Sequence, residues 1–348
     1  MTFDPNAPSQ PGAGIYGLTD DPDSARVVLV PVPWDATTSY GAGTAKAPSA
    51  ILHASQQVDL LDAETGKPYL AGIMMLPENA RFGGMNDEAR AVAEPIIAAG
   101  GVGTHSELEE SAARVNALSD EVNGLVHETV RAWLDREKIV GLVGGDHSSP
   151  YGSILAHAEK FPGLGILHFD AHADLRHAYE GFEHSHASIM ENVLRRIPDV
   201  ARIVQVGIRD FCEDELERIR SSKGRIETFF DVRIARARMQ GRILDVFAQI
   251  VEALPKEVYV SFDVDGLDPA LCPHTGTPVP GGLTLHEASA LVGMVVGSGR
   301  RIVGFDLNEV APGPVGDEWD ANVGARLLYK LIGWTLLSQG IGERPGIV

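Results

Sequence analysis

The chain is 348 residues long and 44% apolar, so one large α/β domain or two ordinary ones could bury roughly three quarters of the unfolded surface. Its net charge of −19, from 29 basic against 48 acidic residues, argues against nucleic acid or an anionic membrane as partner. A small cation fits better, although most of that acidity reads as ordinary solubilising surface. Cys212 and Cys272 form no CxxC spacing, no apolar run reaches the ~18 residues that span a bilayer, and the opening MTFDPNAPSQPGAGIYGL has no basic or apolar leader region; a cytoplasmic protein is expected.

Residues 1–24 are rich in Pro, Gly, Asp and Ser and are expected to form an irregular arm outside the core, with residues 25–348 as a single domain. The first strand is expected at Arg26–Pro33. The segment 78–104 combines Gly pairs with a short helix-like patch and reads as a long loop, either functional or disordered. A long helix follows from Ser106 to about Lys138, with Ser106 and Glu109 as a capping box and a break expected at Gly124. Further strand-like runs lie at 139–143, 164–169, 202–208, 257–262 and 301–307, short, β-branched and mostly separated by amphipathic stretches of helix length. That alternation predicts an α/β fold, a mainly parallel sheet between two layers of helices.

Three of those runs end in acidic residues and histidines: Gly144-Gly145-Asp146-His147-Ser148, Asp170-Ala171-His172-Ala173-Asp174 and Asp263-Val264-Asp265. Ligands of open parallel sheets bind beyond the carboxyl ends of the strands, so three independent segments deliver these side chains to one edge. Taken singly, each motif has an ordinary reading: an Asp-rich turn is often a helix cap and a lone His a hydrogen-bonded core residue. Together, four buried carboxylates with no matching Lys or Arg in the motifs need compensation. Two divalent cations supply it, and oxygen donors mixed with imidazole suit Mn²⁺, Zn²⁺, Ni²⁺ or Co²⁺. Such a pair, ~3.5–4 Å apart, activates a water against an electrophilic carbon. Alternate residues of Asp170, His172 and Asp174 point the same way if that turn stays extended; Asp263 and Asp265 add two donors and His147 completes the set.

A rival reading treats Phe262-Asp263-Val264-Asp265-Gly266-Leu267 as the nucleophile loop of a haloacid-dehalogenase-type phosphatase. That loop normally follows the first strand and has Thr or Val after the Gly, whereas here it lies at 263 with Leu267 in that place. It also leaves His147, Asp170, His172 and Asp174 without a role.

The motifs closely resemble the ureohydrolase superfamily of arginase, agmatinase and related guanidino hydrolases. The resemblance runs from about 27 to 335 through Ser39-Tyr40-Gly41-Ala42-Gly43-Thr44, GGDHS, DAHAD, SFDVDGLDP, the GTPVPGG stretch at 276–282 and Asp306-Leu307-Asn308-Glu309-Val310. It implies an arginase-like three-layer α/β/α fold. It also implies that His147, Asp170, Asp174 and Asp263 hold one ion while Asp170, His172, Asp263 and Asp265 hold the other, Mn²⁺ being usual and Ni²⁺ or Zn²⁺ known in relatives. Glu309 matches the acid that clamps the guanidinium, and Asp265 counts among the catalytic residues as well as the ligands. The family's proton-shuttling His matches His186 within Ser185-His186-Ala187-Ser188, with Ala187 where a Gly is usual and His184 as the alternative.

Arginases read the α-amino-acid end of their substrate with polar residues just after DAHTD and with an acid two positions beyond an Arg-Asp pair. Here those places hold Leu175-Arg176-His177 and Cys212. The resemblance therefore points to the agmatinase and guanidinase side: hydrolysis of a small cationic guanidino compound to urea and an amine, with guanidine or biguanides as alternative substrates. Arg176 and His177 either line the entrance or are solvated. The family also implies a homo-oligomer, trimer or hexamer, or a hetero-oligomer with a paralogue, in which a non-catalytic role is the remaining alternative; all six ligand positions are filled here.

Overall fold

The structure is a computed structural model that describes residues 4–10, 12–19 and 21–347. Strands β1 (Val27–Val32), β2 (Ile73–Met75), β3 (Ile139–Gly144), β4 (Gly165–Phe169), β5 (Arg202–Val206), β6 (Ile226–Phe229), β7 (Glu257–Asp263) and β8 (Arg301–Asn308) form one sheet ordered β2-β1-β3-β8-β7-β4-β5-β6. Every pairing is parallel. β1, β3 and β4 are buried along their whole length, as strands covered on both faces must be.

Helices α1 (Ala47–Ser55), α2 (Ala80–Ala98), α3 (Glu109–Asp135), α4 (Tyr151–Lys160), α5 (Ile189–Arg196), α6 (Glu213–Ser221), α7 (Asp231–Met239), α8 (Ile243–Ala253), α9 (Leu285–Gly297) and α10 (Trp319–Ser338) connect the strands. The period-two alternation of β3 shows how they divide. Ile139 and Val143 join a core with Ile51, Phe247, Leu291 and Leu328 of α1, α8, α9 and α10, while Val140 and Leu142 join one with Phe82, Val122 and Val126 of α2 and α3. This is the expected three-layer α/β/α arrangement. None of the helices among the described residues is long and apolar enough to cross a membrane.

Several local expectations need correction. β2 and β6, three and four residues long, are the two edge strands, too short to leave a periodic signal in the sequence. The segment 78–104 is mostly the 19-residue helix α2, started by Asn79, whose Oδ1 accepts from the Arg81 amide at 3.0 Å. Phe82, Met85, Ala89, Ala93 and Ile96 form its buried face, and this tertiary packing outweighs Gly83 and Gly84. Helix α3 runs unbroken through Gly124; Val115, Leu118, Val122, Val126, Val130 and Leu134 hold it along its length. A glycine inside a helix costs only ~1 kcal/mol, less than one well-buried side chain returns. Ser106 begins a separate single turn, and the capping box with Glu109 does not form. The N-terminal segment is not wholly outside the core either. Ile15, Tyr16 and Leu18 are buried, and the Tyr16 hydroxyl donates to the Ala325 carbonyl at 2.9 Å.

The motif-bearing strands β3, β8, β7 and β4 are contiguous at the centre of the sheet. Their registers, Val143 beside Leu307, Asp263 beside Asn308 and Phe169 beside Phe262, bring their carboxyl ends level.

Candidate metal centre

Beyond β3, the Gly145 backbone runs against Trp34, where any Cβ would lie 1.9 Å from the Trp34 carbonyl oxygen. Only glycine lets the chain turn there, and the turn carries buried His147 to the sheet edge. The same loop is tied to the end of β8: the Glu309 amide donates to the Gly145 carbonyl, and the His147 amide donates to Glu309 Oε1, both at 2.8 Å.

His147 Nδ1 faces three carboxylates: Asp170 Oδ2 at 2.9 Å, Asp174 Oδ2 at 3.3 Å and Asp263 Oδ2 at 3.4 Å. His172 Nδ1 lies 3.0 Å from Asp265 Oδ2 and 3.5 Å from Asp170 Oδ1. Two clusters therefore stand side by side, and Asp170 presents one oxygen to each. The five residues from Asp170 to Asp174 do not stay extended, contrary to the strand-like alternation expected of them. Asp174 adopts φ 56°, and the turn directs Asp174 to the His147 cluster and His172 to the Asp265 cluster. Asp263 Oδ2 lies on the His147 side, while its Oδ1 accepts from the Asp265 amide at 2.8 Å.

His147 is oriented from behind. Its Nε2 lies 2.9 Å from Ser261 Oγ, which donates to Asp306 Oδ1 at 3.0 Å. Because the serine proton is committed to Asp306, His147 donates through Nε2; against the effect of burial, the carboxylates of Asp170, Asp174 and Asp263 around Nδ1 raise its pKa well above the usual histidine range, and a cation bound there would take the place of the Nδ1 proton. Among the described residues no Lys or Arg forms an ion pair with Asp170, Asp174, Asp263, Asp265 or Glu309. Burial, and then the charge of Asp170, pushes Asp174 up to about 8. Burial and the neighbouring Asp265 raise Asp263 well above the usual carboxylate range. Glu309 Oε2 is buried without a hydrogen-bond partner, and burial followed by the charge of Asp146 raises its pKa too.

The loop from Leu175 to Ser188 borders these clusters. His186 is partly exposed, its ring edge-on to Tyr179 at 6.1 Å between centroids; burial and the charge of His172 push it down to about 4. His184 is buried and turned the other way, bonded to Asn123 Nδ2 at 3.1 Å and Asp120 at 2.8 Å on α3 and to Arg196 at 3.2 Å on α5. Of the two histidines, only His186 has the metal-cluster residues for neighbours. Arg176 lies over the Tyr179 ring at 5.0 Å, and His177 pairs with Arg195 at the surface. Cys212 precedes α6, and its amide donates to Glu215 at 2.9 Å.

The sequence profile of the Arginase family matches residues 25–333. The chain belongs to the arginase family. It is 34% identical over 327 residues to the N(1)-aminopropylagmatine ureohydrolase of Thermus thermophilus, covering 94% of this chain and 96% of that one. It is 32% identical over 212 residues to the agmatinase of Bacillus subtilis, covering 60% and 68%. Among solved structures, the proclavaminate amidino hydrolase of Streptomyces clavuligerus superposes with a TM-score of 0.72 at 23% identity, covering 96% and 100% of the chains. The arginase of Medicago truncatula gives a TM-score of 0.67 at 28% identity, covering 90% and 88%.

Arginase-family membership makes this chain a metal-dependent amidinohydrolase and displaces the phosphatase reading. The residues fit divalent cations. The donors are carboxylate and imidazole, Asp174 Oδ2 is a buried acceptor with no donor, and the raised pKa values of Asp174 and Asp263 reflect negative charge that a cation would neutralise. Sequence reasoning missed His168, whose Nε2 lies 2.8 Å from Asp170 Oδ2, and also Ser261 and Asp306. For His168 a signal existed: it is two residues before Asp170 at the end of β4, so period-two alternation places both on one face.

Proposed function

We propose that this enzyme hydrolyses the guanidino C–N bond of a small cationic guanidine lacking an α-amino-acid end, releasing urea and an amine, as an agmatinase or aminopropylagmatine ureohydrolase does. The observation that carries this reading is Glu309. Its Oε1 is fixed by the His147 amide while Oε2 is buried and unpartnered beside the carboxylate clusters. A Cβ on Gly276 would meet that oxygen at 3.3 Å, so glycine there leaves the approach open.

In this reading His147, Asp170, Asp174 and Asp263 would hold one cation and Asp170, His172, Asp263 and Asp265 the other, Mn²⁺ being the expected metal. Bound there, the two cations would supply a water activated at neutral pH and charge compensation for the buried carboxylates. Glu309 Oε2 accepts from the guanidinium and sets its carbon against the clusters. Asp265, held by the Ala171 amide at 2.9 Å, keeps its second oxygen toward His172 and the reacting centre. His186, neutral at physiological pH by the direction of its shift, relays a proton to the leaving nitrogen.

The absence of an acid at Cys212 and the apolar Leu175 after Asp174 support a substrate without an α-carboxylate. We further assign a cytoplasmic homo-oligomer, trimer or hexamer, built from a single catalytic domain over 25–348 with a preceding arm; light scattering on the purified protein tests the oligomer. A panel of guanidino compounds assayed for urea tests the substrate. Agmatine, aminopropylagmatine or a smaller guanidine should be turned over with a kcat/KM at least ~10²-fold above that for L-arginine, because polar groups for an α-amino acid are missing. L-Arginine as best substrate would move the enzyme to the arginase branch.

A further inference from the structure

His168 sits at the edge of the His147 cluster, near enough to Asp170 and Asp174 to be taken for another imidazole ligand. Its other contacts decide otherwise. Gln205 on β5 bonds the Ala173 carbonyl at 2.7 Å and His168 Nδ1 at 3.2 Å, both through Nε2. A carbonyl oxygen can only accept, so the amide nitrogen of Gln205 must face Ala173, and its second hydrogen points at His168. Thr228 on β6 fixes the other end of the amide, donating to Gln205 Oε1 at 2.8 Å. A donor aimed at Nδ1 requires a lone pair there, which places the ring proton on Nε2. Nε2 in turn points at Asp170 Oδ2 at 2.8 Å.

We propose that His168 is a positioning residue of the metal centre: locked by Gln205 and Thr228 as the Nε2–H tautomer, it donates to Asp170 and fixes the carboxylate that serves both cations, and it does not itself coordinate metal. The inference rests on the metal reading of the cluster. His168 and Gln205 are fully buried and Asp170 is 1% exposed, so no solvent can substitute for a missing donor. Asp170 Oδ1 already accepts from the His172 amide at 2.6 Å and Oδ2 faces His168 at 2.8 Å; with His147 Nδ1, now 2.9 Å from Oδ2, given to a cation, each carboxylate oxygen would be held by one protein donor and keep a lone pair for a cation. The relay runs sideways through the sheet, from edge strand β6 through β5 to β4, so the sheet itself sets the carboxylate's orientation.

The test is metal binding to wild type, His168→Phe and Gln205→Leu, each stripped of metal and titrated with Mn²⁺ against a competing chelator, with folding checked by circular dichroism and Tm. His168→Phe should weaken Mn²⁺ affinity by ~10–100-fold while saturating at the same stoichiometry as wild type, the usual size of effect for losing a partner of a ligand. Gln205→Leu should weaken it in the same direction by a smaller factor. Nitrogen-15 spectra of the Zn²⁺-loaded wild type should show His168 protonated at Nε2, a signature that a merely structural histidine in the other tautomer would not give. Loss of one ion per chain in His168→Phe, or a metal-coordinated His168 nitrogen, would overturn the proposal in favour of a ligand; unchanged affinity in both variants would overturn it as well. Wild-type protein that binds no divalent ions would instead overturn the metal reading on which the proposal stands.

Discussion

The floor of the site and its rim are built differently. The floor consists of side chains at the ends of β3, β4, β7 and β8, four neighbouring strands whose register fixes where each carboxylate and imidazole stands. Nearly every floor group is held by a backbone amide or a buried side chain: Glu309 by the His147 amide, Asp265 by the Ala171 amide, His147 by Ser261. The rim is the loop from Leu175 to Ser188, where two histidines two residues apart face opposite ways and Glu180 takes a left-handed φ of 57°. Groups that cannot tolerate misplacement stand on rigid strand ends, while the rim is a loop without regular strand structure.

The largest expected effect separates shared from unshared floor residues. Asp170→Asn, which alters the residue facing both clusters, should lower metal content at both positions and abolish most activity, whereas Asp265→Asn should chiefly empty one. Elemental analysis that finds about two ions per chain in Asp170→Asn would refute the assignment of a shared ligand. At the rim, His186→Ala should reduce kcat by ~10²–10⁴ with metal content unchanged. His184→Ala should instead lower Tm, since it leaves the buried Asn123 side chain without its His184 partner, at a cost of ~1–3 kcal/mol. Measuring kcat and Tm for both variants sharpens the contrast; a catalytic loss in His184→Ala alone would reverse the roles. The smallest effect lies away from both regions. Gly124 is inside helix α3 with nothing within 4 Å of an added Cβ, so Gly124→Ala should stabilise the protein by up to ~1 kcal/mol, read as a higher denaturant midpoint.

The convergence of the acid–histidine motifs was legible because each is contiguous in sequence and directly follows an apolar run, so motif, strand and strand end are read together. The six long apolar runs all became strands, and the four central ones among them carry the site. His168 was harder to read because it lies within a run whose other members are apolar, where a histidine looks like a tolerated core residue. Its role depends on Gln205 and Thr228, which are distant in sequence and join it only through the pairing of β4, β5 and β6. Ser261 and Asp306 were hidden for the same reason, since β7 and β8 must pair before one hydroxyl can link His147 to a buried carboxylate.

The sequence by itself determined the layered α/β arrangement, the edge at which the site forms and the set of charged side chains gathered there, because hydrophobic periodicity acts locally and each acidic motif directly follows the apolar run that becomes its strand. Tertiary structure alone decided the rest. It kept helix α3 unbroken through Gly124, turned most of the 78–104 segment into helix α2, drew Ile15 and Tyr16 into the core, sent His184 inward and left His186 beside the clusters. Each of these outcomes depends on which surfaces and donors meet across the fold, and those meetings carry free energies of a few kcal/mol, enough to override the ~1 kcal/mol preferences that a single residue expresses on its own.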